Sequence, residues 1–159
     1  SRGLIGFRSE FLTITSGTGI MTSSFSHYGT AKAGQVAKRQ NGVLISMVNG
    51  TCLAFALFTL QDRGRLFAEP QLEVYEGMIV GMNSRSDDMT VNPTKAKQLT
   101  NMRASGTDEA LTLTPAIKFT LEQALEFIED DELVEVTPKS VRIRKKWLTE
   151  NDRKRNRAK

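Results

Sequence analysis

Residues 42–60 read GVLISMVNGTCLAFALFTL, two apolar runs joined by the turn signal Asn49-Gly50. The first run, residues 42–48, is short and rich in branched side chains, which predicts a buried strand. The second run, residues 53–60, fits a strand or a helix by periodicity. Its two alanines and its length favour a helix that ends by Gly64.

Short elements are also predicted on the N-terminal side of this stretch. Leu4, Phe7 and Phe11 recur at helical spacing, and the glycines at 17 and 19 end that helix. Residues 20–28 are rich in β-branched, aromatic and hydroxyl side chains, which predicts a strand. Residues 29–40 are small and basic without a clear period, so we expect a loop or linker.

On the C-terminal side the pattern is again one of short elements. Strands are predicted within residues 72–82 and at 90–91, 111–113 and 117–119. Thr120 and Gln123 have the spacing of a capping box, and Leu121, Ala124, Leu125 and Ile128 would share one face of the helix that follows. A hairpin of residues 133–137 and 140–145 and a final helix capped by Thr149 and Asp152 complete the chain. These elements predict an α+β fold with a small mixed or antiparallel sheet and packed helices.

Charge is strongly segregated near the end of the chain. Residues 120–136 hold seven acidic side chains and no Lys or Arg, whereas residues 139–159 hold ten basic side chains against Glu150 and Asp152. That last segment carries a formal charge of +8, while the chain as a whole carries +4. Such a concentrated field attracts polyanions, of which nucleic acid is the commonest in a cell.

Composition excludes several classes of protein. The chain is 39% hydrophobic and 25% charged, as expected of a globular protein. It has neither an apolar run of about 20 residues that could span a bilayer nor an N-terminal signal sequence. The single cysteine, Cys52, excludes an internal disulfide and fits the cytoplasm. Because the chain starts at Ser1 with helical patterning already under way, we expect a fragment of a larger protein.

The residues offer little support for catalysis. His27 is the only histidine, and no partnered nucleophile is predicted near it, which favours a structural histidine over a general base. One His and one Cys cannot form a zinc site, and the acidic pairs 87–88 and 108–109 lack calcium-loop spacing. Gly29 to Gly34 resembles a phosphate loop, but Gln35 follows where Lys is needed. We therefore expect no GTP or ATP binding through this segment.

Two polar segments are better candidates for binding. In residues 141–144, VRIR, Val141 and Ile143 can face a core while Arg142 and Arg144 point outward, and Lys145 and Lys146 extend the row. Such a row suits a phosphodiester backbone, although it could also be a solvated face that balances the acidic helix. The second segment, residues 92–109, is long and polar and predicts either a functional loop or a short surface helix through Ala96, Leu99 and Met102.

Several strings of residues resemble the BipA/TypA family of ribosome-associated translational GTPases, specifically its C-terminal part. The strings are RGLIGF (2–7), TSGTG (15–19), NGVLIS (41–46), VYEGMIVG (74–81), QLTNMRASGTDE (98–109), TLEQALEF (120–127) and LTENDR (148–153). Residues 1–28, which end in SHY, are also similar to the second half of the last ferredoxin-like domain of elongation factor G.

The resemblance implies two parts: residues 1–28 as the end of a ferredoxin-like domain, and residues 29–159 as the C-terminal domain peculiar to the family. It implies docking on large-subunit rRNA and a loop that reaches the acceptor end of A-site tRNA, in ribosome assembly and stress-related translation. The implied RNA-binding residues are Lys95, Lys97, Gln98, Asn101, Arg103 and Ser105 in the loop, and Arg142, Arg144, Lys145, Lys146, Arg153 and Lys154 in the hairpin and tail.

The sequence leaves three functions to weigh. The first is a ribosome-binding module, monomeric and cytoplasmic, without a cofactor of its own, since GTP and Mg²⁺ are expected in a GTPase domain outside these 159 residues. The second is a scaffold that orients neighbouring domains without touching RNA. The third is an RNA-acting enzyme, which the lack of a paired catalytic constellation disfavours.

Overall fold

The chain was analysed as a computed structural model, which describes residues 7–29, 39–96 and 112–157. In chain order the elements are α1 (Phe7–Ile14), β1 (Val43–Ser46), β2 (Gly50–Thr51), α2 (Ala54–Leu60), β3 (Gly64–Leu66), β4 (Glu73–Val74), β5 (Ile79–Asn83), β6 (Met89–Val91), α3 (Leu121–Phe127), β7 (Glu132–Val136), β8 (Val141–Lys145) and α4 (Glu150–Arg157).

Three small sheets organise these elements. The largest has the strand order β3-β5-β1-β6, in which β1 pairs antiparallel with β5 and parallel with β6, and β3 pairs antiparallel with β5. β2 and β4 form a second antiparallel pair, and β7 and β8 form a hairpin. The fold is therefore α+β, with mixed and antiparallel sheets, as the sequence predicts.

Strand β1 is buried on both faces, which explains its unbroken apolar sequence. Leu44 packs into one core with Cys52 and Leu57 beneath α2. Val43 and Ile45 point to the opposite side and pack with Ala124 of α3 and Ile143 of β8. The four-stranded sheet thus has a hydrophobic core on each face, and the second core joins it to α3 and the hairpin.

The turn before β5 brings the hairpin and the start of α4 against the main sheet. The carbonyl of Gly77 accepts a hydrogen bond from the Lys145 amide at 2.9 Å, and the Gly77 amide donates to the Ser46 carbonyl at 2.9 Å. Gly77 has φ +86°, and a Cβ there would lie 2.6 Å from Leu148 Cα. Only glycine allows this close approach without strain.

Most of the predicted elements are confirmed. The strand in residues 42–48 is β1, the ambiguous run 53–60 is helix α2, residues 72–82 contain β4 and β5, and residues 90–91 lie in β6. Thr120 and Gln123 form both halves of the capping box at α3. The hairpin is β7 and β8, and Thr149 accepts a hydrogen bond from the Asp152 amide at the start of α4. The predicted linker falls largely in residues 30–38, outside the described part of the chain.

The strand predicted over residues 20–28 is wrong. Residues 18–29 have no regular secondary structure, and Ile20 and Tyr28 are 88% and 94% exposed. A strand needs a neighbour to complete its ladder, and every strand pair in the described ranges involves only β1–β8. The helix predicted before this segment is confirmed as α1. It ends at Ile14, and the turn that follows has positive φ at Ser16 and Gly17.

The short strands predicted around Pro115 are wrong as well. Residues 112–120 run irregularly along the edge of β3, held by a single backbone bond from Ile117 N to Leu66 O at 2.9 Å and by the side chain of Gln61. Pro115 has no backbone N–H to donate, so a ladder cannot continue through it. Residue 111 lies outside the described residues.

The predicted packed face of α3 is confirmed only in part, because Ala124 and Ile128 pack in the second core but Leu121 and Leu125 do not. Ala124 is fully buried, and Phe127 packs against Phe67 and Phe119 with ring centroids 5.4 and 5.1 Å apart. Leu121 and Leu125, which the sequence predicts on the packed face, are 40% and 56% exposed. Aromatic packing has turned the short helix toward its Phe127 side.

Candidate nucleic-acid interface

The hairpin sorts its residues onto two faces. Its register places Val134 opposite Ile143 and Glu135 opposite Arg142. Because side chains alternate along a strand, Ile143 enters the second core while Arg142 and Arg144 lie on the other face. The predicted outward orientation of these two arginines is confirmed, and both are partly exposed.

Lys145 corrects the prediction of a continuous cationic row. It is 2% exposed, and its Nζ lies 2.7 Å from Asp88, 2.9 Å from Asp131 and 3.0 Å from Glu132. Period-two alternation places residue 145 on the same face as Ile143, so the strand pattern itself contained this signal. Lys145 is a buried, neutralised cation and is not available to an outside anion.

Glu132 and Arg39 complete this buried network. Both carboxylate oxygens of Glu132 accept hydrogen bonds from the Arg39 guanidinium, at 2.9 and 3.0 Å, and Arg39 also lies 4.3 Å from the centroid of the Phe127 ring. Burial opposes ionisation of Glu132, but the Arg39 hydrogen bonds and the Lys145 charge outweigh it and hold its pKa below the ordinary value. Arg39 was not predicted, since it lies in the segment expected to be a linker.

The pKa of Lys145 is also set by two opposing effects, burial and its acidic partners. Burial disfavours its charged form, but the hydrogen bond to Asp88 and the charge of Glu132 outweigh burial and raise the pKa of Lys145. Glu132 and Lys145 are therefore both charged at neutral pH. The network fixes residue 39, the hairpin and the loop before β6 to one another.

On the outer face of the hairpin, two arginines surround a tyrosine–carboxylate pair. Tyr75 Oη donates to Glu135 Oε2 at 2.5 Å, and burial together with that carboxylate raises the pKa of Tyr75. Arg142 Nε donates to Ser140 Oγ at 3.2 Å. Within the described residues, neither Arg142 nor Arg144 belongs to an ion pair, so their charge remains available.

Helix α4 adds exposed positive charge. Lys154 and Arg155 have side chains 73% and 76% exposed and pair only with acids of the same helix, Glu150 and Asp152. Exposed pairs of this kind are weak and screened by salt, so these cations can exchange partners. Lys146 is exposed as well, with its Nζ 5.4 Å from the Trp147 ring centroid.

Arg153 differs from its neighbours, because its side chain folds back on the chain. Its Nη1 donates to the carbonyl oxygens of Trp147, at 3.3 Å, and of Leu148. Its Nη2 is buried and has no hydrogen-bond partner in the described part of the protein. Arg153 is thus a fixed guanidinium at the edge of α4 rather than a freely solvated charge.

The structure describes little of the predicted loop. Lys95 is exposed just after Pro93 and Thr94. The other predicted loop residues, Lys97, Gln98, Asn101, Arg103 and Ser105, lie outside the described residues, as do Leu99 and Met102 of the alternative surface helix. The role of this segment stays a prediction.

The described residues contain no arrangement suited to catalysis or metal binding. His27 is exposed, and its Nδ1 lies 2.9 Å from Oγ of the adjacent Ser26. Asp88 accepts a hydrogen bond from Val43 N at the start of β1. Burial raises the pKa of Cys52 to about 11, which makes that thiol unreactive. Across residues 7–29, 39–96 and 112–157, no group of three His, Cys, Asp or Glu could hold a metal ion. None of the helices there could cross a bilayer.

Comparisons with known proteins agree with this architecture. Residues 41–150 match the model of the TypA/BipA C-terminal domain. The chain is 68% identical over 159 residues to the large ribosomal subunit assembly factor BipA of Escherichia coli strain K12, covering 99% of this chain and 26% of that protein. The proteins of the same name from Haemophilus influenzae and Buchnera aphidicola are 64% and 61% identical over 155 residues, covering 98% of this chain and 25% and 26% of those proteins.

The chain thus spans about a quarter of the length of the curated relatives that it matches. The matched family model covers most of the chain, including β1, α2, both faces of the main sheet and the whole hairpin. The chain belongs to the TypA/BipA C-terminal domain family.

Proposed function

We propose that this chain is the ribosome-binding module of a BipA/TypA translational GTPase and that it contacts the phosphate backbone of large-subunit rRNA. Its relatives are named as assembly factors of the large ribosomal subunit. A module with that task must recognise folded RNA, and phosphate contacts from Arg and Lys supply most of the affinity in such interfaces.

The observation that carries the proposal is the placement of charge on the hairpin and α4. Two acids at the start of the hairpin pair with internal cations: Glu132 with Arg39, and Asp131 with Lys145. Among the described side chains, Arg142 and Arg144 of the outer face and Lys154 and Arg155 of α4 have no such buried partners. These four side chains present positive charge at the surface, while Glu132 and Asp131 are neutralised by neighbouring cations.

The long polar segment extends the proposal to tRNA. Residues 92–109 carry amides, hydroxyls and a few cations, a mixture that can meet base edges and 2′-hydroxyls, whereas Lys and Arg rows mainly anchor. We assign it to the acceptor end of A-site tRNA, with Lys95 at its described start. We propose that the module acts in ribosome assembly and stress-related translation, as a monomer in the cytoplasm.

A scaffold is the second candidate function, and one observation favours it. The buried Arg39–Glu132–Lys145 network and the Gly77 contacts fix the domain rigidly to the residue where the preceding segment ends. Rigid attachment serves orientation of neighbouring domains as well as RNA docking. GTP hydrolysis with Mg²⁺ is proposed for the three quarters of the parent protein beyond this chain, and this chain is proposed to bind neither.

Chemical footprinting on large subunits carrying A-site tRNA tests both parts of the proposal. The full-length protein should protect rRNA phosphates, and it should protect the tRNA acceptor end. Replacing residues 95–105 by a Gly/Ser linker of equal length should remove the acceptor-end protection and leave the rRNA protection in place.

The alternatives give different patterns in the same experiment. A scaffold predicts no rRNA protection that depends on Arg142 and Arg144, since in that case the domain touches no RNA. Loss of folding in the loop replacement, seen by circular dichroism, would make residues 95–105 structural. Unchanged acceptor-end protection would mean that residues 95–105 do not contact the tRNA acceptor end.

A further inference from the structure

A cleft of about 710 Å³ lies between α4 and the turn before β7. Trp147 and Arg153 line it, as do Glu129, Asp130 and Asp131. Its volume falls in the range of small-molecule sites, about 300–1,000 Å³. The proposed backbone contacts do not use Trp147, the only tryptophan of the chain.

We infer that this cleft holds one unstacked nucleotide of single-stranded RNA, with its base stacked on Trp147 and its phosphate at Arg153. The inference rests on the proposed RNA-binding function and adds a site to it. Aromatic rings that line a cleft beside cations are the common means of binding splayed-out bases. Trp147 and Arg153 are linked directly, because the Trp147 backbone carbonyl accepts a hydrogen bond from Arg153 Nη1 at 3.3 Å.

Arg153 supplies the argument for the phosphate. The backbone carbonyls of Trp147 and Leu148 fix its Nη1, so the orientation of the guanidinium is set before any ligand arrives. Its Nη2 is a buried donor without a partner in the described residues, a state that is costly for a charged group. An anionic oxygen at this corner of the cleft gives that donor its acceptor.

The acidic residues that line the cleft determine how the nucleotide is oriented in it. Carboxylates accept hydrogen bonds and repel phosphate, so the base edge faces residues 129–131 and the phosphate faces α4. Adenine, cytosine and guanine present exocyclic amino donors to such carboxylates, whereas uracil has none. The cleft should therefore prefer amino-bearing bases to uracil.

A basic peptide suits the cleft less well than a nucleotide. Lys145 already pairs with Asp88 and Asp131, and Lys154 pairs with Glu150 at 2.7 Å. The cleft is lined by five acids and by four cations, Arg39, Lys145, Arg153 and Lys154. Little net negative charge remains to attract a further lysine or arginine.

Tryptophan fluorescence gives a direct test, because Trp147 is the only reporter of its kind in the chain. The chain is titrated with single-stranded hexamers of adenylate, cytidylate and uridylate, with an RNA duplex, and with heparin as a polyanion without bases. Dye-labelled versions of the same RNAs report total binding by anisotropy. We expect saturable quenching by adenylate and cytidylate, weaker quenching by uridylate, and little by duplex or heparin.

Variants assign the effect to the cleft. Arg153→Gln keeps the fluorophore and should lose most of the quenching, whereas Arg155→Gln, which removes an exposed cation of the same helix outside the cleft, should keep it. Trp147→Ala should weaken single-strand binding by about tenfold, the usual effect of removing one stacking ring. If that variant does not fold, the Arg153→Gln comparison still decides.

The outcomes separate this site from the proposed function. RNA binding by anisotropy with unchanged Trp147 fluorescence overturns the cleft site and leaves phosphate-backbone binding standing. Equal quenching by heparin also overturns the cleft site, because no base is then needed. So does tighter binding of an arginine-rich peptide than of adenylate, seen as displacement of the adenylate from the cleft. Absence of any RNA binding contradicts the proposed function itself.

Discussion

Glu132 holds an ionised carboxylate inside the protein, where two guanidinium nitrogens of Arg39 and the ammonium of Lys145 surround it within about 3.0 Å. A buried charge of this kind is tolerable only while its partners remain. The network therefore acts as a brace between residue 39 and the hairpin, and a single neutral substitution should break it.

We predict that Glu132→Gln lowers the free energy of unfolding by about 3–5 kcal/mol at pH 7, because it leaves two buried cations without their shared counter-charge. Urea denaturation followed by circular dichroism measures the change. The control is Glu126→Gln on the exposed face of α3, which should stay within about 0.5 kcal/mol of the parent.

The same network predicts a dependence on pH. Because the folded protein holds the pKa of Glu132 below its ordinary value, its contribution is complete above the unfolded pKa of about 4.3 and is lost as pH falls through the folded pKa. The stability gap between the parent and Glu132→Gln should therefore narrow on acidification below that value. A gap that stays constant down to the acid transition would contradict the assignment of Glu132 as a charged brace.

Individual side chains were predictable where one rule governed them. Arg142 and Arg144 follow from strand alternation, and the same rule also places Lys145 inward, against the expectation that all nearby cations line up outside. Arg39 could not be predicted, because its partner Glu132 lies 93 residues away and only the folded register joins them. Trp147 and the cleft depend likewise on α4 meeting the turn before β7.

Helix α3 shows how local chemistry defines an element. Thr120 Oγ1 accepts from the Gln123 amide at 3.3 Å, and the Thr120 amide donates to Gln123 Oε1 at 3.0 Å, so both ends of the capping box are closed. With only seven residues, this helix has little intrinsic stability and depends on its cap and on the Phe127 contacts.

We predict that Thr120→Ala destabilises the protein by about 1 kcal/mol, because it removes the cap acceptor, and that Thr120→Ser restores most of the stability. Thr114→Ala serves as the control, since Thr114 is exposed and its hydroxyl has no partner in the described residues. Thermal unfolding at neutral pH gives the comparison. Equal effects of Thr120→Ala and Thr114→Ala would mean that the box contributes nothing.

At the level of elements, the sequence predicts what is local and misses what needs a neighbour. Strand β1, helix α2, the α3 cap and the hairpin each follow from a run of residues that contains its own signal. Residues 20–28 have the composition of a strand but no adjacent strand in the described chain, and Pro115 interrupts any ladder beside β3. The packed face of α3 was predicted only in part, because Phe67 and Phe119, from other parts of the chain, pack against Phe127 and not against the leucines.

For the molecule as a whole, the fold separates the two signs of charge that the sequence merely places end to end. Glu132 and Asp131 pair with Arg39 and Lys145 in the interior, and the outer hairpin face and α4 keep exposed cations. This separation is the physical basis for proposing an RNA-binding module rather than a scaffold, and it makes a quantitative claim about salt.

The most direct measurement is the slope of log affinity against log salt for binding to purified large subunits. Arg142, Arg144 and Lys146 are changed together to Gln, with Lys145 left in place as part of the core. A matched control changes three exposed cations elsewhere, Arg63, Arg65 and Lys118. We predict a slope that falls by about 0.7–0.9 for each phosphate that is no longer neutralised, so by about two in all, while the control keeps the parent slope. An unchanged slope in the first variant would contradict the central claim that this face meets the RNA backbone.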